Sequence, residues 1–188
     1  MIVLALEEDF LPAARVRLRR FTEADAGALF DMYSHPEVMR YWSRPAMTDV
    51  AEANALIKQI LEDYETGASL PLVIERNGDS VFVGNCTLHH FHQASRRAEI
   101  GYSLARPYWG RGYMHEALQA LVSHAFGRLG LNRLEADIDP RNISSAKTLD
   151  RLGFMREGHL RERWIVDGEV SDTCLYGLLR SDWRRAPA

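Results

Sequence analysis

Apolar residues in this chain recur at two spacings, every second position and every third or fourth, and the succession of the two predicts an α/β protein. Residues 15–20 alternate as a first strand, Thr22 caps a helix to about residue 33, and Thr48 opens a second helix to about residue 64. Strands follow at 70–75 and 81–91, with Asn77 and Gly78 turning between them. Another strand at 98–104 stops at Arg106 and Pro107, where proline ends the ladder. Met114, Ala117, Leu118, Leu121, Ala125 and Leu129 then line one side of a helix. A strand at 133–138 leads to a helix capped near Asn142, with Ile143, Ala146, Leu149 and Leu152 at helical spacing and Gly153 as terminator. Two strands close the pattern at 154–166 and 170–179, joined through Asp167 and Gly168. No repeat is visible, and the order lacks the regular alternation of a doubly wound sheet. We therefore expect a single domain over residues 1–188.

Composition narrows the class of protein. A chain of 188 residues with 46% hydrophobic content can bury one sizeable core. The 23 basic and 26 acidic residues leave a net charge of −3, which argues against a generally basic nucleic-acid binder. The apolar run at residues 1–6 is too short for a signal peptide, and no stretch could span a bilayer, so no membrane partner is expected and a cytoplasmic location is the default. Cys86 and Cys174 have neither metal-site spacing nor a disulfide framework, which favours two buried free thiols.

The first candidate for chemistry is the turn Trp109, Gly110, Arg111, Gly112, Tyr113, placed between a strand and a helix. Small residues let an anion approach the backbone, and the unpaired N–H groups and dipole of a helix N-terminus attract it. Two glycines alone equally describe a tight turn without a ligand. A dinucleotide fingerprint would need a small residue where the chain has His115, and a Walker loop would need Gly, Lys and Ser or Thr together. The second candidate is the helix after Asn142. Asn142 and Ser145, three apart, can face the same way, although Asn and Ser at a helix start also serve simply as caps.

Taken in order, the Glu99, Ile100, Gly101, Tyr102 strand, the Trp109 turn followed by Glu116 and Ala117, the Asn142 helix to Phe154 and the strand from Asp172 resemble the GNAT superfamily of N-acetyltransferases. The resemblance is to the RimJ/RimL-like branch, which includes ribosomal-protein N-terminal acetyltransferases, and covers about residues 16–183. It implies a mixed sheet flanked by helices that splays between the fourth and fifth of the strands above to admit the pantetheine arm of acetyl-CoA. It implies that the backbone at Ser103 or Leu104 holds the acetyl carbonyl. The N–H groups of Trp109, Gly110, Arg111, Gly112, Tyr113 and Met114 would hold the pyrophosphate, and Asn142 would contact pantetheine. Ser145 stands at the branch's serine position, as the group that protonates or hydrogen-bonds the CoA sulfur. Where the superfamily often has Gln or Arg three residues before the first loop glycine, this chain has Pro107, with Arg106 one position earlier as the remaining side-chain contact.

Acyl transfer from a thioester to an amine also needs a proton acceptor. Glu99 borders the expected site, where partial burial would suit it to that role, and it could equally form a structural ion pair. Some relatives carry a carboxylate on the strand after the Asn helix, where this chain has Trp164, with Glu162 two residues earlier. An α-amine with a pKa of about 8 is partly neutral near pH 7, so bulk water could also suffice. Tyr41 and Trp42 fall in a segment that lines the acceptor side in relatives, and could equally anchor a loop on the core. His90 or His92 is a candidate for the acceptor cleft. Strand alternation sends His89 to the face opposite His90 and His92, so no metal site is expected.

The resulting expectation is an acetyl-CoA-dependent N-acetyltransferase acting by direct attack of a primary amine, with a protein or peptide N-terminus as the favoured acceptor. The alternatives are a small amine such as a polyamine, amino acid or aminoglycoside, and a CoA-binding sensor without turnover. Oligomeric state is open, a homodimer being one arrangement.

Overall fold

The computed structural model describes residues 10–183; the apolar run at 1–6 lies outside them. One eight-stranded sheet runs in the order β1-β2-β3-β4-β5-β6-β8-β7. Its strands are β1 (Phe10–Pro12), β2 (Val16–Arg19), β3 (Leu70–Arg76), β4 (Phe82–His92), β5 (Arg97–Leu104), β6 (Arg133–Ile138), β7 (Met155–Val166) and β8 (Glu169–Leu179). The helices are α1 (Ala26–Tyr33), α2 (Pro36–Met39), α3 (Val50–Thr66), α4 (Tyr113–Gly127), α5 (Ile143–Arg151) and α6 (Arg180–Trp183).

Two helical layers cover the sheet, and β3 shows why its sequence reads as an unbroken apolar run. Leu70, Leu72 and Ile74 pack with Ala117, Leu118 and Leu121 of α4, while Val73 packs with Leu29 of α1 and Ile57 of α3 on the other face. Buried on both sides, the strand is apolar from Leu70 to Ile74, and its buried carboxylate, Glu75, is paired with Arg17 and Arg19. Every neighbouring pair of strands is antiparallel except β5 and β6, which α4 joins in parallel.

That parallel pair is short. Arg97, Ala98 and Glu99 pair with Arg133, Leu134 and Glu135, and the register ends there. Beyond it β5 stays with β4 as far as Leu104 opposite Gly84, whereas β6 stays with β8 as far as Ile138 opposite Cys174. Each half follows its own neighbour, and the sheet opens between them as a V. The splay expected from the resemblance is present, and it lies between β5 and β6 because β1 precedes the first strand read from the sequence.

Local signals place most elements, with instructive shifts. The helix expected from Thr48 begins at Val50, because the Asp49 carboxylate accepts the Ala51 N–H at 2.7 Å while Glu52 returns to the N–H groups of Thr48 and Asp49. Thr22 does carry a capping box, although a 3₁₀ turn at Glu23–Asp25 precedes α1. Strand β1 and helix α2 were not expected; at three and four residues they are too short for a periodic signal. Cys86 and Cys174 are buried free thiols.

Candidate active site

The glycine loop fits an anion. Gly110 and Gly112 have φ of +72° and +83°, and the N–H groups from Gly110 through His115 donate to no acceptor among the described residues. No atom lies within 4 Å of where a Cβ at Gly110 would stand. The loop is braced at both ends. The Trp109 indole N–H donates to the Leu104 carbonyl at 2.8 Å, tying the loop to the end of β5. Arg15, from the turn before β2, donates to the Arg111 carbonyl at 2.9 Å and to Glu116 in the first turn of α4, and lies 5.0 Å over the Tyr113 ring. Arg106 pairs with Glu37 of α2 at 2.7 Å and lies over the Trp109 ring. Thus Arg15 is a cation that braces the loop through the Arg111 carbonyl. No local signal could have found it, because it is 96 residues distant in sequence from the carbonyl it holds.

At the other end of the V, Asn142 caps α5 by accepting the Ser145 N–H at 3.1 Å and the Ser144 hydroxyl at 2.9 Å. Its carboxamide N–H groups remain for a ligand. The Ser145 side chain does not cap. Its hydroxyl donates to the phenolic oxygen of Tyr102 at 2.9 Å, and the Tyr102 O–H donates to the Ser145 carbonyl at 3.3 Å. These two bonds cross the splay from β5 to α5. Burial pushes the Tyr102 phenol well above its ordinary range despite the bond from Ser145, so it stays protonated. Tyr102 is a residue that strand alternation alone could place on a face but not against Ser145.

Ser103 and Leu104 end β5 opposite Asn85 and Gly84 of β4. A Cβ on Gly84 would stand 2.2 Å from the Ser103 carbonyl oxygen and 2.9 Å from the Leu104 Cα, so only glycine allows this approach. Asn85, opposite Ser103, donates to the Tyr33 hydroxyl at 2.8 Å, and Trp42 meets the Tyr33 ring edge-on at 5.3 Å. Tyr41 lies 5.8 Å from the Arg141 guanidinium, just before Asn142. The aromatic segment therefore packs on the core and also borders the face of the V opposite α4.

On that face Glu99 sits 3.1 Å from His90 Nδ1, and His90 lies 3.1 Å from His89 Nδ1. The expectation that His89 and His90 point to opposite faces is overturned: a bulge in β4 puts both beside Glu99. Asp137, on β6 beyond the last position paired with β5, is hydrogen-bonded by Trp164, and its carboxyl is raised by burial and then by the charge of Glu99. Sequence reasoning missed Asp137, because only the splay exposes this position. Glu162 occupies an irregular stretch of β7 at φ +53°, its N–H donating to Asp172 at 2.8 Å.

A cradle of free N–H groups at a helix start, a parallel pair of strands that parts after three positions, and a polar bridge from the Asn-capped helix make one cleft. Residues 15–155 match the model of the acetyltransferase (GNAT) domain. The chain belongs to the GNAT acetyltransferase family. Among GNAT relatives, the uncharacterised N-acetyltransferase p20 of Bacillus licheniformis is 36% identical over 170 residues, 90% of this chain and 95% of that one. The [ribosomal protein uS5]-alanine N-acetyltransferase of Escherichia coli is 34% identical over 84 residues, 45% of this chain and 43% of its own. RimJ of Mycobacterium smegmatis, solved with a CoA-disulfide, superposes with a TM-score of 0.85 at 28% identity, covering 95% of this chain and 90% of that one. This GNAT protein is thus an acetyl-CoA-dependent N-acetyltransferase. No described helix is long and apolar enough to cross a membrane.

Proposed function

We propose that this GNAT enzyme acetylates the α-amino group of a protein or peptide N-terminus. The observation that supports the reading is the likeness to RimJ, which extends over 95% of the chain and so includes both the cofactor loop and the acceptor face. When bound, acetyl-CoA supplies a thioester acyl group. The N–H groups of the Gly110 to Met114 stretch hold its pyrophosphate, and Arg15 keeps that stretch in place. The backbone at Ser103 and Leu104 polarises the carbonyl as charge develops on its oxygen. Asn142 offers its free carboxamide N–H groups to the pantetheine arm, and Ser145 turns its hydroxyl from Tyr102 to the departing sulfur. The Glu99 side of the cleft receives the proton lost by the amine, while Tyr41 and Trp42 border the acceptor.

A thiol-release assay with acetyl-CoA and a panel of amines tests this reading. Peptides with free α-amines should be turned over faster than the same peptides blocked at the N-terminus but carrying lysine. Turnover confined to polyamines or other small amines would replace the proposed acceptor, and absence of turnover with retained CoA binding would make the protein a sensor.

A further inference from the structure

The bulge in β4 has a chemical consequence. His89 pairs directly with Glu99, and the next pair joins His92 to Arg97, so β4 takes three steps where β5 takes two. His90 absorbs the extra residue at φ +50°, a left-handed conformation uncommon outside glycine. Bulges gather beside active sites because they re-aim one side chain. The side chain re-aimed is an imidazole whose Nδ1 comes 3.1 Å from Glu99 Oε2, its ring 4.6 Å from that of His89.

From this arrangement we infer that His90 is the group that takes the proton from the attacking amine, with Glu99 as the positioning residue behind it. His90 Nδ1 stands 3.1 Å from Glu99 Oε2 and 3.1 Å from His89 Nδ1, so a proton held there faces a carboxylate and a second ring nitrogen and leaves the lone pair at Nε2. The His90 side chain is 70% exposed against 31% for Glu99, so the imidazole is the member of the pair that an incoming amine can reach. After it accepts a proton at Nε2, the imidazolium has a carboxylate oxygen 3.1 Å from its Nδ1 to balance its charge. His89 is a poor competitor. Burial, and then His90, lower its pKa against the opposing effect of Glu99, which keeps it neutral.

Two other carboxylates stand on this face, on β6. Asp137 on β6 is raised by burial and by Glu99, with Arg163 on β7 and His90 opposing. Glu135 is engaged by Arg97 at 2.6 Å and Arg133 at 2.7 Å.

The step balances without a further reactant. The amine lone pair forms the bond to the acetyl carbon, the carbon–sulfur bond breaks, and sulfur leaves with that electron pair. The proton on the new amide nitrogen passes to His90 Nε2 and on to solvent, and the thiolate is protonated through the Ser145 hydroxyl, which takes a proton from solvent in turn. The inference rests on acetyl transfer to an amine and does not depend on the acceptor being a protein N-terminus.

The test uses the full chain and the best amine found for the wild type, small or peptidic, so the acceptor assignment can fail without affecting it. His90→Asn and His90→Gly both tolerate positive φ. Each should lower kcat about 10²-fold or more at neutral pH and abolish the limb of kcat/KM that rises with pH, with acetyl-CoA affinity and melting temperature near wild type. Added imidazole should restore rate to His90→Gly. Glu99→Gln should keep that limb with a lower plateau. Wild-type kcat and pH profile in both His90 variants would overturn the inference, as would loss of the limb in Glu99→Gln alone, which would make the carboxylate the base.

Discussion

Tyr102→Phe removes one oxygen and with it both hydrogen bonds that cross the splay from β5 to α5. The bond from the Ser145 hydroxyl, at 2.9 Å, has good length, whereas the bond to the Ser145 carbonyl, at 3.3 Å, is long. A neutral hydrogen bond contributes about 0.5–1.5 kcal/mol net, so Tyr102→Phe should cost about 1–2 kcal/mol. Ser145→Ala leaves the carbonyl bond in place and should cost about 0.5–1 kcal/mol. In a chain of 188 residues, about 1 kcal/mol lowers Tm by roughly 2–4 °C, a change thermal denaturation resolves easily. The double variant should be less destabilised than the sum of the single ones by about 0.5–1 kcal/mol, since each single change already breaks the shared bond. Turnover should separate the two residues. Ser145→Ala should lower kcat about tenfold or more with little change in acetyl-CoA affinity, because the sulfur loses its proton source. Tyr102→Phe keeps the serine hydroxyl and should lose much less rate. Additive stabilities within about 0.3 kcal/mol would show that the two hydroxyls do not interact. Wild-type turnover in Ser145→Ala, or a loss that merely tracks unfolding, would refute the role given to Ser145.

Gly112→Val should weaken acetyl-CoA binding in calorimetry and also lower Tm, because a β-branched residue is strained at φ +83° and its Cβ would meet the Arg15 guanidinium at 3.1 Å; unchanged affinity in a folded variant would remove the loop from the site. Gly84→Ala should force β4 from β5 at Ser103 and Leu104, reducing kcat and Tm together, and a stable, fully active variant would show that the approach of these strands is not needed. Acid stability should depend on the cluster of Arg17, Arg19, Glu75 and Asp25. Burial alone would raise both carboxyls, but Arg19, with Arg17 at Glu75 and Thr22 at Asp25, outweighs it and holds them below their usual range. Their contribution is therefore full above the unfolded carboxyl pKa of about 4 and is lost as pH falls through the folded values, and Glu75→Gln should cost about 2–4 kcal/mol at neutral pH while flattening the acid limb of stability against pH. Chelation with EDTA should leave turnover unchanged; a loss that zinc restores would show that His89, His90 and Glu99, whose ligand atoms lie within 4.8 Å of one another, hold a metal.

Much of this protein is decided by interactions a few residues long, and those features are legible in the chain. The Asn142 cap, the left-handed Gly112 and Gly153, and the Asp167–Gly168 turn follow from backbone preferences that neighbouring residues satisfy. The alternation of apolar positions set the strands to within a residue or two, and the ordered motifs pointed to the GNAT fold and its cosubstrate. Other features depended on contacts between distant segments. His90 turned against its alternation because the bulge is a property of how β4 registers on β5, which no period within β4 encodes. Ser145 met Tyr102 from 43 residues away, and Arg106 went to Glu37 from 69, choices made by the shape of the splay and the position of α2. Arg15 and Asp137 became neighbours of the cleft only when β2 packed on α4 and β6 parted from β5. Local hydrogen bonding wrote the elements into the sequence, whereas the partners in the cleft were chosen by strand register and by close packing between residues that the chain keeps far apart.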